Sequence, residues 1–164
     1  MRIELRLWRT KSNSIYAIVR DGSNLPESFL ETLSSEHPKE AQWLAKFIDL
    51  VCSDDIVRQP QFRPELPNNN VFAMYQHRKT EGKLPYSSVR LLCTFVGRPC
   101  RIVIAGAGFV KTQDQPIQQN IAAMAEARLV ADVGSWLKEQ VDCGEVAIRS
   151  AQFWGKHPDS LTMK

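Results

Sequence analysis

Residues 102–116 read IVIAGAGFVKTQDQP, and this stretch decides between two classes of fold. Its glycines, followed by Lys111 and Thr112, raise the question of a phosphate-binding loop. A Walker A loop has the pattern G-x-x-x-x-G-K-[ST], because its backbone N–H groups must surround the phosphates. Here Val110 precedes the lysine, and Ala105 stands where the first glycine belongs. The dinucleotide pattern G-x-G-x-x-G also fails, since Lys111 takes the place of the third glycine. We therefore predict a central strand whose small residues let a helix pack closely on it.

Length and composition are typical of one soluble globular domain: the chain has 164 residues, 43% of them hydrophobic and 24% charged. No apolar run reaches the ~20 residues of a membrane span. The start MRIELRLWRT is too charged for a signal peptide. We therefore expect a cytoplasmic protein that makes no contact with a membrane.

The cysteines show no C-x-x-C spacing and no pairing with the three histidines. Zinc binding is therefore not expected, and neither is any other metal or cofactor. Reduced and mostly buried thiols are the favoured interpretation. The four residues are Cys52, Cys93, Cys100 and Cys143.

Positive charge is concentrated in the centre of the chain. Residues 56–111 hold nine Lys or Arg against only Glu65 and Glu81, a balance of +7, so the rest of the +3 chain stands at −4. A basic centre between acidic flanks predicts a polyanion site. A solvated sheet edge that basic residues protect from pairing explains the charge about equally well.

The first third of the chain predicts a β-hairpin followed by two helices. Residues 2–8 (RIELRLW) alternate apolar and polar side chains, and residues 15–22 (IYAIVRDG) form a second strand-like run. Residues 24–27 (NLPE) resemble a helix start. Apolar side chains at residues 44–51 then recur at the spacing of an amphipathic helix. Two such helices predict an antiparallel helical hairpin.

The remainder predicts a loop, three strands and a helix. Residues 58–70 (RQPQFRPELPNNN) hold three prolines and three consecutive asparagines, which predict a loop. Residues 71–78 (VFAMYQHR), 88–96 (SVRLLCTFV) and 101–110 (RIVIAGAGFV) are β-rich, and the turn GRP joins the last two.

Residues 114–140 predict a long C-terminal helix with Asp114 as its N-cap. We expect one face of this helix to be buried. That face comprises Ile117, Ile121, Met124, Leu129, Val133 and Trp136.

The element order predicts an α+β fold, with the helical hairpin and the C-terminal helix packed on a small antiparallel β-sheet. Residues 1–140 would form this domain, including the N-terminal hairpin. Residues 141–164 match no pattern and are predicted to be an extension that covers a hydrophobic patch or contacts a partner.

At about residues 15–138 the chain resembles the RelE/ParE toxin superfamily, particularly its phage-derived HigB-like branch. The resemblance is carried by IYAIVRDG before the helical hairpin, by PQFRPEL before VFAMYQHR, by VRLLCTF and by GFVKTQDQPIQQNIAAM. The order and spacing of these segments together carry the match, which implies a RelE-like fold.

The resemblance implies a toxin of a type II toxin–antitoxin system. Such a protein is a hydrolase, a small endoribonuclease that cuts messenger RNA on the ribosome. A cognate antitoxin, expected to be a helix-turn-helix protein, would silence it. Cleavage requires that a 2′-OH be oriented and deprotonated and that charge on the phosphate be stabilised, all of which basic side chains can do without a cofactor.

The resemblance also implies the site residues. Arg90 and Lys111 match basic positions on and after the family's strands, and each has a structural alternative: an ion pair for Arg90, and capping of exposed backbone for Lys111. His77 could equally be an ordinary surface histidine. The implied catalytic residues are Arg90, Lys111, His77 and Arg78, and the implied RNA-binding residues are Arg63, Lys79 and Tyr86.

Two departures keep a second class of function open. Thr112 stands where the family usually has a second basic residue, and Val89 replaces the aromatic residue before Arg90. The alternative is a non-catalytic binding protein on the same scaffold, including a gyrase-directed toxin of the ParE type.

Overall fold

The structure is a computed structural model that describes residues 1–53, 62–75, 89–97, 101–111, 116–155 and 160–163. Its helices are α1 (Leu25–Glu36), α2 (Pro38–Ser53) and α3 (Ile121–Asp142). Its strands are β1 (Ile3–Thr10), β2 (Ser14–Arg20), β3 (Ser23–Asn24), β4 (Phe62–Leu66), β5 (Val71–Tyr75), β6 (Val89–Val96), β7 (Ile102–Val110), β8 (Ala147–Arg149), β9 (Gln152–Trp154) and β10 (Ser160–Met163).

The main sheet has the strand order β10-β1-β2-β7-β6-β5-β4, with β3 paired to β2. The α+β class is therefore confirmed. The predicted antiparallel sheet is wrong in one respect, because β2 and β7 run parallel. Parallel neighbours need a long connection, and the segment from α1 to β6 supplies it. The sheet is also larger than predicted, since β4 and β10 lie outside the predicted strands, whereas β1 pairs with β2 as in the predicted N-terminal hairpin.

Helices cover both faces of the central strands. On one face α1 and α2 form a core that includes Leu44, Ile48 and Val103. On the other face α3 forms a second core that includes Val130 and Ile104. Because β7 contributes to both cores, its sequence is apolar without alternation, as expected of a strand buried on two sides.

The two glycines of β7 confirm the packing interpretation. A Cβ atom on Gly106 would lie 2.5 Å from Cγ2 of Val130 in α3. A Cβ atom on Gly108 would lie 2.1 Å from Cδ1 of Phe29 in α1. A register shift in the β6–β7 pairing lies between them, so the two glycines face opposite helices. Both glycines lie inside a strand and are explained by close helix packing.

Strand β4 lies within the segment predicted to be a loop, so that prediction is wrong for residues 62–66. Prolines argue against a central strand, but β4 is the last of the described strands of the sheet, and one of its edges has no partner among them. Pro64 is tolerated there because an edge strand need not donate from every N–H. Phe62 and Glu65 are buried, which fixes β4 to the body of the protein.

Helix α3 begins later than predicted. Asn120 is its N-cap, and its side-chain Oδ1 accepts a hydrogen bond of 3.0 Å from the N–H of Ala123. The predicted cap, Asp114, is therefore wrong, and its own position lies outside the described residues. A short 3-10 helix (Ile117–Gln119) precedes α3 and interrupts the periodicity assumed for a helix that starts at residue 114.

The buried face of α3 differs accordingly from the predicted one. Ile121 is 88% exposed, whereas Val133 is buried as predicted. Small residues such as Ala123 and Ala127 form much of the contact with the sheet. A stripe selected for large apolar side chains misses these alanines, although they are what lets the helix approach closely.

The C-terminal segment packs on the same core as the preceding residues. Strands β8 and β9 form a hairpin, and β10 pairs with β1. The N–H of Phe153 donates a 3.0 Å hydrogen bond to the hydroxyl of Tyr16, and the two ring centroids are 4.7 Å apart. Phe153 is buried, so the segment covers an apolar patch, the first of its two predicted roles. Contact with a partner stays a prediction.

In the part of the chain that the structure describes, no helix is long and apolar enough to cross a membrane. Within the same ranges, no group of three or more His, Cys, Asp or Glu side chains is placed to hold a metal ion. Cys52 and Cys93 are buried free thiols, as predicted, and Cys143 is exposed. Cys100 lies outside the described residues.

Candidate functional site

Three of the four described cations of the basic centre, all except Arg101, lie toward one end of the sheet. Val110, the last residue of β7, pairs with Val89, the first residue of β6. Lys111 follows β7 directly, so it lies at the end of the sheet where Arg90 stands. Tyr75, the last described residue of β5, pairs with Arg90.

Three of the side chains at this end share one face of the sheet. Arg90 is opposite Tyr75 in the β5–β6 pair, and Arg63 is opposite Ala73 in the β4–β5 pair. Residues that are paired, or separated by two positions along a strand, point to the same face. Ala73 belongs to the core beneath α3. Arg63, Tyr75 and Arg90 therefore lie on the side of the sheet that α3 covers.

Arg90 is held in a buried ion pair. Its side chain is 1% exposed, and its Nε donates a 3.0 Å hydrogen bond to Oε1 of Glu65. Its Nη1 donates to the carbonyl oxygen of Val89 at 3.1 Å, and its Cζ lies 5.3 Å from the ring centroid of Tyr75. These contacts bind the guanidinium on several sides.

Burial lowers the pKa of Arg90, Glu65 raises it in partial compensation, and the charge of Arg63 lowers it further. Removal of one partner from such a pair typically costs about 3–5 kcal/mol, because the other charge is left buried and uncompensated. Arg90 is therefore important for stability whatever else it does.

A β-bulge places Glu65 where it can reach Arg90. The register of the β4–β5 pair shifts between Pro64 and Leu66, so Glu65 is the extra residue. Such a bulge changes the direction in which a side chain points. By the register, Ala73 lies on β5 between the two charged residues, and its small side chain leaves room for the long arginine.

Sequence reasoning did not identify Glu65 as part of the site, because it lay in a predicted loop. One signal was available. Glu65 and Glu81 are the only acidic residues in the basic centre. One of two carboxylates among nine cations is a natural partner for any cation that the fold buries, because buried charges are normally paired.

Of the seven predicted site residues, three are described by the structure and four are not. Arg63 is exposed, and Lys111 is half-buried at the exit of β7. Arg90 occupies the ion pair that was its structural alternative, and a direct contact between Arg90 and RNA stays a prediction that requires this pair to open. The other four predicted residues, His77, Arg78, Lys79 and Tyr86, lie outside the described residues.

A second ion pair holds α3 to the sheet near the same end. Arg20, the last residue of β2, places Nη1 2.9 Å from Oε1 of Glu126 in α3. Because β2 is parallel to β7, Arg20 lies toward the end of the sheet where β7 ends and Lys111 follows. The pair therefore fixes the first turns of α3 beside the candidate site.

Comparison with known proteins yields no match, whether the chain is compared with protein-family models, with curated proteins or with solved structures.

Proposed function

We propose that the protein is a toxin of a type II toxin–antitoxin system with a RelE-like fold, and that it cuts messenger RNA on the ribosome. The observation that carries the proposal is the gathering of Arg63, Arg90 and Lys111 at one end of the sheet. The order of helical hairpin, strands and C-terminal helix, which the resemblance implies, supports it.

In this proposal the exposed Arg63 and the strand-exit Lys111 bind RNA phosphates. A guanidinium can engage two phosphate oxygens at once, whereas an ammonium acts as a point charge. The two cations orient the phosphodiester and stabilise the charge that develops when the neighbouring 2′-OH attacks. His77, which follows β5 in the sequence, would supply the proton transfers, and Arg78 beside it would add positive charge at the phosphate.

Expression of the protein tests the proposal in living cells. Induction of the parent chain is expected to arrest growth and to shorten translated messages. Lys111→Ala and Arg63→Ala should each relieve the arrest, since loss of a donor to a charge-developing phosphate costs on the order of 100-fold in rate. Both are better tests than Arg90→Ala, which would leave Glu65 buried without its partner.

Arg101→Ala is the matched control for these variants. Arg101 is exposed and precedes β7, so it lies at the opposite end of that strand from Lys111. Its loss removes the same charge and should leave the growth arrest unchanged. A folded parent that neither arrests growth nor cuts messages on translating ribosomes would reject the nuclease proposal.

A second candidate is a non-catalytic binding protein, including a gyrase-directed toxin of the ParE type. The burial of Arg90 against Glu65 favours it, because a guanidinium whose charge is already compensated by a carboxylate stabilises the developing charge on a phosphate poorly. Purified ribosomes and gyrase separate the two candidates. Inhibition of DNA supercoiling, or binding to ribosomes without cleavage of messages, would support the binding protein.

The cognate antitoxin is part of the proposal, as is a cytoplasmic location, where ribosomes and gyrase act. The neighbouring open reading frame should encode a short helix-turn-helix protein. Co-expression of that protein should abolish the growth arrest and should yield a complex that purifies together with the toxin.

A further inference from the structure

We propose that Glu65 occupies the phosphate-binding position of Arg90 and competes with RNA for it, so that an RNA phosphate reaches Arg90 only when edge strand β4 gives way. The inference rests on the proposed function, because it takes RNA phosphate as the ligand that displaces the carboxylate.

In the ion pair, the carboxylate of Glu65 takes the place that a phosphate would take at Arg90. A carboxylate and a phosphate present similar oxygen pairs to a guanidinium, and arginine binds both in the same manner. Oε1 of Glu65 lies 3.0 Å from Nε of Arg90, within the range of a charge-assisted hydrogen bond. The carboxylate thus sits where a phosphate oxygen would sit if RNA reached Arg90.

Strand β4 is built in a way that favours its displacement. Among the described strands it lies at one edge of the sheet and pairs with β5 alone. Its ladder is interrupted by the bulge at Glu65, and Pro64 has no N–H to donate. Edge segments with few backbone hydrogen bonds open at a lower free energy than central strands. The carboxylate is therefore carried by an edge segment, which costs less to move than a central strand.

The exposed Arg63 would attract an RNA phosphate toward the buried Arg90. It lies on β4 two residues before Glu65, is exposed, and its charge disfavours the charge on Arg90. A phosphate that arrives at Arg63 adds negative charge beside both guanidinium groups. It can therefore take over the role of Glu65 without leaving Arg90 uncompensated.

The first experiment replaces the whole pair. The double variant Glu65→Met/Arg90→Met leaves no buried charge at the position of the pair, and such replacements are often neutral or stabilising. Binding of a short fluorescein-labelled single-stranded RNA is measured by anisotropy at several salt concentrations. If RNA engages Arg90, the slope of log K against log salt should become shallower by about 0.7, which corresponds to one lost phosphate contact on a single strand. A slope and an affinity equal to those of the parent would overturn the inference.

The second experiment weakens only the competitor. Glu65→Gln keeps an acceptor for Arg90 but removes the charge. Because a neutral hydrogen bond is weaker than a charged one, RNA should displace the amide more easily than the carboxylate, and we expect RNA to bind about tenfold more tightly. Glu4→Gln is the matched control, because Glu4 also pairs with arginines, Arg2 and Arg6, but on β1. It should change affinity by less than about twofold, since salt screens charges that are distant from the site.

The outcomes separate this inference from the proposed function. A parent chain that does not bind the RNA rejects this inference, whereas growth arrest and message cleavage by the same chain would leave the proposed function standing. A parent that binds, together with a Glu65→Gln variant that binds equally or more weakly, rejects only the competition by Glu65. If Glu65→Gln does not fold, the paired methionine variant decides the question alone.

Discussion

Gly106→Ala is expected to destabilise the fold although it adds only one methyl group. The new Cβ atom would lie 2.5 Å from Cγ2 of Val130 and 3.6 Å from Cδ1 of Ile18. Carbon atoms pack best at about 3.5–4.0 Å, so the Val130 side chain or α3 itself must move away from β7 by about 1 Å. Overpacking of this kind costs about 1–3 kcal/mol. The lower entropy of the unfolded chain returns about 0.4–1 kcal/mol, and the midpoints of the two ranges leave a net loss of about 1.3 kcal/mol.

Val130→Ala shows whether that loss comes from the predicted clash. By itself it removes two buried methyl groups, at about 0.8 kcal/mol each plus a cavity term. In the Gly106→Ala background it also removes the atom that clashes. The double variant should therefore lose at least about 1 kcal/mol less than the sum of the single variants.

Gly134→Ala is the control at the same helix–sheet contact. Its Cβ atom would lie 3.1 Å from Cγ2 of Thr94, a much smaller overlap. Alanine is also favoured over glycine inside a helix by about 1 kcal/mol. We expect the two effects to cancel nearly and the stability to change little.

Urea denaturation followed by tryptophan fluorescence measures all four variants, with stability compared at equal m-values. The reasoning is refuted if Gly106→Ala is as stable as the parent. It is also refuted if Gly106→Ala and Val130→Ala add to within about 0.5 kcal/mol, because independent sites behave in that way.

Three further changes test other parts of the fold. Ile104→Ala should lower the free energy of unfolding by about 2–5 kcal/mol in urea melts, because its side chain is fully buried, and a loss below about 1 kcal/mol would contradict the core. Asn120→Ala should cost about 1 kcal/mol by the same measurement, because it removes the N-cap of α3, and an unchanged stability would show that the helix starts elsewhere. Burial, followed by the charge of Asp49, raises the pKa of Cys52 from its ordinary value of 9.0 to about 11. The folded state then retains a proton that the unfolded state releases, so this contribution is complete below pH 9.0 and is lost as pH rises toward about 11. Urea melts over that range should show a decline that Cys52→Ala reduces, and an equal decline in both proteins would contradict the assignment.

Strong local patterns made much of the fold predictable from sequence. The apolar spacing of α2 places Leu44 and Ile48 in the core, as expected of an amphipathic helix. The failure of AGAG to match a nucleotide loop correctly predicted close helix packing. The periodic pattern predicts α2 correctly because apolar residues repeat on one face of the helix for several turns.

Features that depend on distant contacts were not predictable in this way. Prolines suggested a loop where β4 forms, because only the position of a strand at the sheet edge makes Pro64 acceptable. The bulge at Glu65 is a property of the pairing between two strands, and the sequence of one strand does not show it. The start of α3 was misplaced because a proline and an aspartate looked like a cap, whereas Asn120 makes the hydrogen bond.

The choice between a nuclease and a binding protein depends on β4, the strand that the sequence did not predict. A count of charges treats Arg90 as one of nine cations available to a polyanion. The fold instead compensates this charge with Glu65, so what Arg90 can offer to RNA depends on whether β4 opens. If the pair stays closed when the protein meets its target, Arg63 and Lys111 can still bind phosphate, but Arg90 cannot stabilise a reacting one. If the pair opens, a guanidinium is delivered beside two other cations at one end of the sheet. The same residues thus support a binding protein in the first case and a nuclease in the second, and the exchange of one carboxylate for one phosphate separates the two functions.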